Sequence, residues 1–173
     1  MATKKSMFVL FGILMISACV LGSTMQAGAE TMNFKRYSYE IKSERVPIDD
    51  VEGHVVSLST RRAFWVFENG EVATAISVVS SDQIKGSGPT IQYTTITFTD
   101  GSIIISRLGG MSAGTAPGVH TSGAKDGEII KATGRFTGIK GTVTYTSKYL
   151  PLEKGEGGQK SVGEGIISYA LPK

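Results

Sequence analysis

Between Gly134 and Gly141 the chain reads Gly-Arg-Phe-Thr-Gly-Ile-Lys-Gly, three glycines closely spaced around one aromatic, with strand-like segments on either side. Glycine weakens a strand interior and marks a bulge, a sharp bend or a close backbone approach. A wall that bends this hard belongs to a small closed barrel rather than to a flat open sheet. The run therefore reads as strand, bend and strand, with Phe136 packing inward and Arg135 on the opposite face.

The remaining chain extends the same grammar. No window sustains apolar residues at i, i+3, i+4 and i+7, whereas alternating and β-branched runs recur. Strands are expected over Met32–Lys42, Val51–Thr60, Ala63–Phe67, Glu71–Val79, Thr90–Thr99, Ser102–Leu108, Glu128–Phe136, Gly141–Tyr149 and Gly163–Leu171. The second and third join into one bent strand if the chain has eight rather than nine. Spacing of about ten residues with turn residues between marks an all-β sandwich or barrel. Asn69-Gly70 and Asp100-Gly101 predict tight hairpins with type I′ turns. The Gly/Ala/Ser/Thr-rich stretch Leu108–Gly127 and the stretch Pro151–Gly163 read as long loops, of the kind that rims a binding site. The expected fold is all-β: a small closed antiparallel β-barrel of about eight strands, in one domain spanning residues 30–173.

Residues 1–29 stand apart. Lys4 and Lys5 precede an apolar run from Met7 to Leu21, and Ala27-Gly28-Ala29 supplies small residues where a signal peptidase cuts. This is the pattern of a cleavable signal peptide. The run is too short for a membrane span, which needs ~20 apolar residues. Ile16-Ser17-Ala18-Cys19 also spells a lipobox, which would anchor the protein through a lipidated Cys19. The expected location is periplasmic or secreted, with the lipoprotein as the alternative. Cleavage after Ala29 removes the only cysteine and, with it, thiol catalysis and cysteine-ligated metals. It also lowers the basic count from 18 to 16 against 15 acidic residues, which leaves no basic stripe for nucleic acid.

Motifs for chemistry are thin. Gly110-Met-Ser-Ala-Gly114 spells G-x-S-x-G, but the nucleophile elbow requires a helix after it, and Thr115-Ala-Pro-Gly118 starts none. No phosphate-binding loop is complete. Glu52 and His54 share a strand face at i, i+2, yet two histidines without cysteine form no metal set, so neither a metal nor another cofactor is expected. His54, on the face of Val56 and Leu58, is expected near the barrel mouth. It joins Trp65, Glu71, Tyr93 and Arg107 as candidate ligand-binding residues; no catalytic residue is assigned.

Ala132-Thr-Gly-Arg-Phe-Thr-Gly-Ile-Lys-Gly141 resembles the late-strand motif of the allene oxide cyclase-like and dirigent-like β-barrels. Phe98-Thr-Asp-Gly-Ser-Ile103 and Gly163-Glu-Gly-Ile-Ile-Ser-Tyr169 are similar to exported bacterial proteins with that barrel. The resemblance spans roughly Val51 to Leu171. It implies an eight-stranded antiparallel barrel, often a homotrimer, around an apolar cavity, whose plant members guide cyclisation or coupling of reactive intermediates without a cofactor. The sequence thus reads as an exported barrel that binds a small apolar ligand or serves as a structural module. The alternatives are a cofactor-free isomerase or cyclase, or a dirigent-type orienting protein, and a protein-interaction module.

Overall fold

A computed structural model describes residues 29–116 and 119–172, with side chains placed for all but 115–116, 119–122 and 124–126. The leader run, Cys19 and His120's side chain lie outside that description. Eight strands follow one another: β1 (Ala29–Pro47), β2 (His54–Phe67), β3 (Val72–Ile84), β4 (Gly88–Phe98), β5 (Ile103–Ala116), β6 (Val119–Ala132), β7 (Lys140–Leu150) and β8 (Lys160–Ala170). Each pairs antiparallel with the next, and β8 returns to β1 to close the barrel. Closure removes both sheet edges, so no strand is left with an unpaired backbone row.

Three expectations change on this frame. Leu108–Gly127 is not a loop: it is the paired body of β5 and β6, from Leu108↔Gly127 to Gly114↔His120. The small residues there serve close strand packing, since a Cβ on Gly110 would stand 2.2 Å from the Gly123 carbonyl oxygen. Both hairpins are tight, but neither is type I′. Only Gly70 and Gly101 take positive φ, 83° in each, and Gly70 N–H and Gly101 N–H donate to the carbonyls of Phe67 and Phe98. That is the three-residue connection with one left-handed glycine and a bulge, because Asn69 and Asp100 stay out of the left-handed region. Third, Gly134–Phe136 is not strand. It is a 3-10 turn following β6.

This turn closes one end of the barrel. Gly134 carries a φ of +63° and lies against Ser102, where a Cβ would meet the Ser102 hydroxyl at 2.3 Å. The backbone thus turns inward and drops Phe136, 3% exposed, onto the base of the interior. There Phe34 stacks on Trp65 at 3.9 Å, Phe67 on Phe98 at 5.4 Å, and Phe98 meets Phe136 at 4.8 Å. Ile96, Ile104, Val143 and Ile167 fill the gaps between the rings, and Ala63, Ala73 and Ala75 leave room for them. Arg135 does not face away. It lies over the Phe98 and Phe136 rings and donates to both Glu71 oxygens at 2.6 Å, with Asp100 at 3.3 Å. The base is therefore apolar within and latched outside. Tyr169, beside Phe136, donates to Glu30 at 2.6 Å, and burial first and that carboxylate second push its hydroxyl up to about 12.

Candidate functional site

Above the aromatic base the polarity of the wall inverts. The residues facing in are Ser57, Ser59 and Arg61 on β2, Ser77 and Ser81 on β3, Gln92 and Thr94 on β4, Ser106 and Ser112 on β5, and Ser147 on β7. Those facing out on the same strands include Val56, Leu58, Ile76, Val78, Ile91 and Tyr93, all at least a third exposed. A soluble barrel ordinarily keeps apolar side chains in and polar ones out. Here only the base half obeys.

The inverted half holds a chamber of about 280 Å³ near the mouth. Its wall is made by Ser57, Ser59, Arg61, Ser81, Gln83 and Tyr149, with Pro47, Val55 and Val79 as its apolar part and Glu40 and Arg45 at the rim. Across the lumen Tyr145 on β7 donates to the Gln92 carbonyl oxygen on β4 at 2.8 Å. The Gln92 amide in turn donates to Thr94 at 2.6 Å and Ser77 at 3.2 Å. The bridge joins nearly opposite walls, which fixes both side chains.

Two arginines face into this half. Arg36 on β1 is 3% exposed and Arg61 on β2 is 6% exposed. Gly163 is Arg36's partner on β8 and Gly165 lies one rung along, so no β8 side chain blocks the way across. The Arg36 guanidinium spans that gap to lie on the Tyr145 ring, 4.4 Å from its centroid. Arg61 lies 5.2 Å from the Tyr149 ring and donates through Nη2 to the Gln159 carbonyl at 3.2 Å. The Pro151–Gly163 segment, expected to rim the site, does so through this carbonyl and ends at Gln159. Among the described residues neither arginine forms an ion pair. Glu40 is the Cα partner of Arg61, but its carboxylate is 3.9 Å from Arg45 instead.

Of the five residues proposed from sequence, Trp65 alone faces the interior, and there it is packed, 1% exposed, against Phe34. Tyr93 is on the outer wall, and Arg107, its partner on β5, is exposed beside it. Glu71 is at the base, paired to Arg135. His54 does not point into the barrel, because the face it shares with Val56 and Leu58 is the outer one. It bridges two carboxylates at the rim, Nδ1 to Asp50 at 2.6 Å and Nε2 to Asp82 at 2.7 Å. The hydrogen bond to Asp50, then that to Asp82, raises its pKa, and the His54 bond is the main cause that lowers that of Asp50.

The sign follows directly. The histidine contribution to stability is complete below the ordinary value of about 6.5 and is lost as pH rises through the raised one. The Asp50 contribution is present above the ordinary carboxylate range and is lost as pH falls through the lowered value. We expect the melting temperature to fall between pH 6 and 9 in the wild type, and this slope to flatten in His54→Gln. Equal slopes in the two proteins would show that the clamp carries no charge.

No group of three or more histidine, cysteine or carboxylate side chains suited to a metal occurs among the described residues, and no described helix is long and apolar enough to cross a membrane. A wider depression of about 1560 Å³ lies mainly on the outer wall, bordered by Lys35, Val66, Met111, Glu164 and Ile166. It is open-sided, as is a depression of about 530 Å³ that Arg36 borders with Tyr37, Met111 and Glu164, whereas the unpartnered Arg61 Nε belongs to the chamber wall, so the lumen is the better candidate.

No protein-family model and no curated protein sequence matches this chain. Among solved structures, the barrel is similar to the pterocarpan synthase dirigent protein GePTS1, with 14% identity over 90% of this chain and 96% of that one, at a TM-score of 0.46. The pterocarpan synthase dirigent protein PsPTS1 is 13% identical over 84% of this chain and 97% of that one, also at 0.46. The assignment as a closed eight-stranded antiparallel barrel rests on the strand ladder itself.

Proposed function

We propose that this protein is a cofactor-free binding and orienting barrel, which holds one small polar molecule in the open half of its lumen. The observation that carries the reading is the inversion of polarity above the aromatic base. Burying serines, a glutamine and two arginines around a space costs free energy unless something hydrogen-bonds to them. A filled apolar core would have been the more stable use of the same strands. The polar lining also replaces the apolar ligand expected from sequence with a hydrogen-bonding one.

A barrel of eight strands has just room for its side chains or for one small ligand. The Arg61 guanidinium and the Glu40 carboxylate, both in the chamber lining, set orientation. Such a chamber suits an orienting role on a reactive intermediate as well as simple carriage. Export to the periplasm or beyond is part of the proposal and rests on the leader. The outward apolar residues of β1 to β4, among them Tyr37, Phe64, Ile76 and Tyr93, support self-association through that wall. Thr142, Thr146, Lys148 and Glu164 on β7 and β8 interrupt the band, which suits a one-sided protein contact better than a lipid belt.

Native mass spectrometry of gently purified protein tests the central reading. A bound small-molecule mass is expected on the wild type and its loss on Ser81→Trp or Ser59→Phe, each of which fills the chamber. A mass retained by both folded variants would place the ligand elsewhere.

A further inference from the structure

Resting on the reading that the chamber holds a small molecule, we propose that this molecule is an anion and that Arg61 supplies its counter-charge. The argument is one of unmatched donors. Among the described residues Arg61 Nε, in the chamber wall, is buried and has no hydrogen-bond partner, and the same holds outside the chamber lining for Arg36 Nε and Nη1 and Trp65 Nε1. The hydroxyls of Ser106 and Ser147, also facing in, are unpartnered too. Trp65 is the Cα partner of Arg36, so two of these donor groups share one rung at the lower edge of the polar half.

The Gln92 carbonyl takes Tyr145, and the Thr94 and Ser77 hydroxyls take the Gln92 amide. The Ser106 and Ser147 hydroxyls could accept, but they carry no charge. Water could satisfy N–H groups one by one but would leave the charge. A guanidinium is a permanent cation, and a buried cation without a counter-ion is among the least favourable arrangements in a protein. Arg61 is such a cation in the chamber wall, and the carboxylate that lines the chamber with it, Glu40, is turned to Arg45. A planar guanidinium fork matches carboxylate, sulfate or phosphate geometry. The chamber's volume of about 280 Å³ limits an organic acid to roughly a single ring, at the small end of ligand pockets.

The test uses Trp65, the one tryptophan of the chain, as an internal reporter. The full chain is titrated with benzoate, with sulfate at matched ionic strength, and with benzamide as the uncharged counterpart of benzoate, following emission and melting temperature. Benzoate is expected to shift both saturably, with benzamide at least about tenfold weaker, the size of a lost hydrogen bond to a charged group. A response to benzoate alone assigns an organic acid; an equal response to sulfate assigns a free inorganic anion. Arg61→Met is expected to lose the response by at least about tenfold while melting no lower than the wild type without anion, since it removes an uncompensated charge. A purely structural arginine would instead give a less stable variant with its anion response intact. If Arg61→Met does not fold, Arg61→Lys, which keeps the charge and loses the fork, should bind benzoate more weakly and benzamide unchanged.

Benzamide binding as tightly as benzoate, or an undiminished response in the arginine variants, would overturn the anion assignment and leave the chamber reading standing. Silence to all three probes also overturns it. The chamber reading itself falls only if no small-molecule mass depends on Ser81 and Ser59.

Discussion

Phe136→Ala should cost about 3–5 kcal/mol of folding stability, read as a lower denaturant midpoint at unchanged slope. The ring is 3% exposed and, among the described residues, is the only aromatic delivered to the base by a turn rather than a strand. It meets Phe98 at 4.8 Å and Tyr169 edge-on at 5.9 Å, and the Arg135 guanidinium lies 4.6 Å from its centroid. The cost should reach the upper part of the range for aromatic truncation because the site cannot collapse. The surrounding rings hang from strands whose spacing is set by hydrogen bonds, so the cavity persists and Phe98 and Tyr169 lose contacts on one side. Arg135 also loses half of the aromatic surface on which it stacks, although its pairing with Glu71 remains. A loss below about 1 kcal/mol would mean that the 3-10 turn is a loose lid, and that the aromatic base is closed by Phe98 and Tyr169 without it.

Gly141→Ala should be nearly as severe, at the top of the range of about 1–3 kcal/mol for overpacking or beyond it. A Cβ there would stand 2.0 Å from the Ser168 carbonyl oxygen, 2.7 Å from the Tyr169 Cα and 2.9 Å from the Ser168 carbonyl carbon. All three are backbone atoms of the neighbouring strand, so no rotamer change relieves the clash. The Gly141↔Tyr169 rung must open, which exposes paired amides and pulls Tyr169 away from Glu30. Hydrogen exchange should show lost protection over β7 and β8, with β2 and β3 unaffected. Gly157→Ala is the control, since nothing lies within 4 Å of a Cβ there, and it should be neutral within about 0.5 kcal/mol. Unchanged exchange in β7 and β8 would show that the strands slide past the added methyl.

These two positions come from the glycine-punctuated run, and they show how far sequence reaches. Its glycines do mark tight geometry, yet in two different ways. Gly141 is a close strand-to-strand approach, whereas Gly134 is the left-handed step that sends the chain across the barrel end. Glycine spacing alone does not separate them, because a missing Cβ answers a steric demand, as at Gly141, and a positive φ, as at Gly134, with the same residue. Eight strands were legible from alternation and turn residues. The length of β5 and β6 was not, since the Gly and Ala that punctuate them are depleted in strands and pair there because neighbouring backbones need the room.

The chamber was hidden for a more specific reason. On β2 both parities carry apolar residues: Ala63, Trp65 and Phe67 on one, Val56, Leu58, Phe64 and Val66 on the other. The rule that apolar faces inward then selects a different parity in each half of the strand. In the upper half the rule fails outright, because Leu58 faces out and Ser59 faces in. His54 is placed inward on that reading and stands at the rim, while Tyr93 and Arg107, candidates on other grounds, stand outside. Arg36 and Arg61 were reachable from one observation: period-two counting from Phe34 and Trp65, the two stacked rings, puts both on the inner face. The register that stacks those rings is a tertiary fact, so the inference needed the fold first.

The polar half-lumen can be tested directly by a crystal structure of the protein grown with benzoate, at a resolution that separates ligand from solvent. The account predicts non-protein density in the chamber, with a carboxylate within hydrogen-bond distance of the Arg61 guanidinium. Arg61 paired to a carboxylate of its own chain, around a lumen holding ordered water alone, would contradict it.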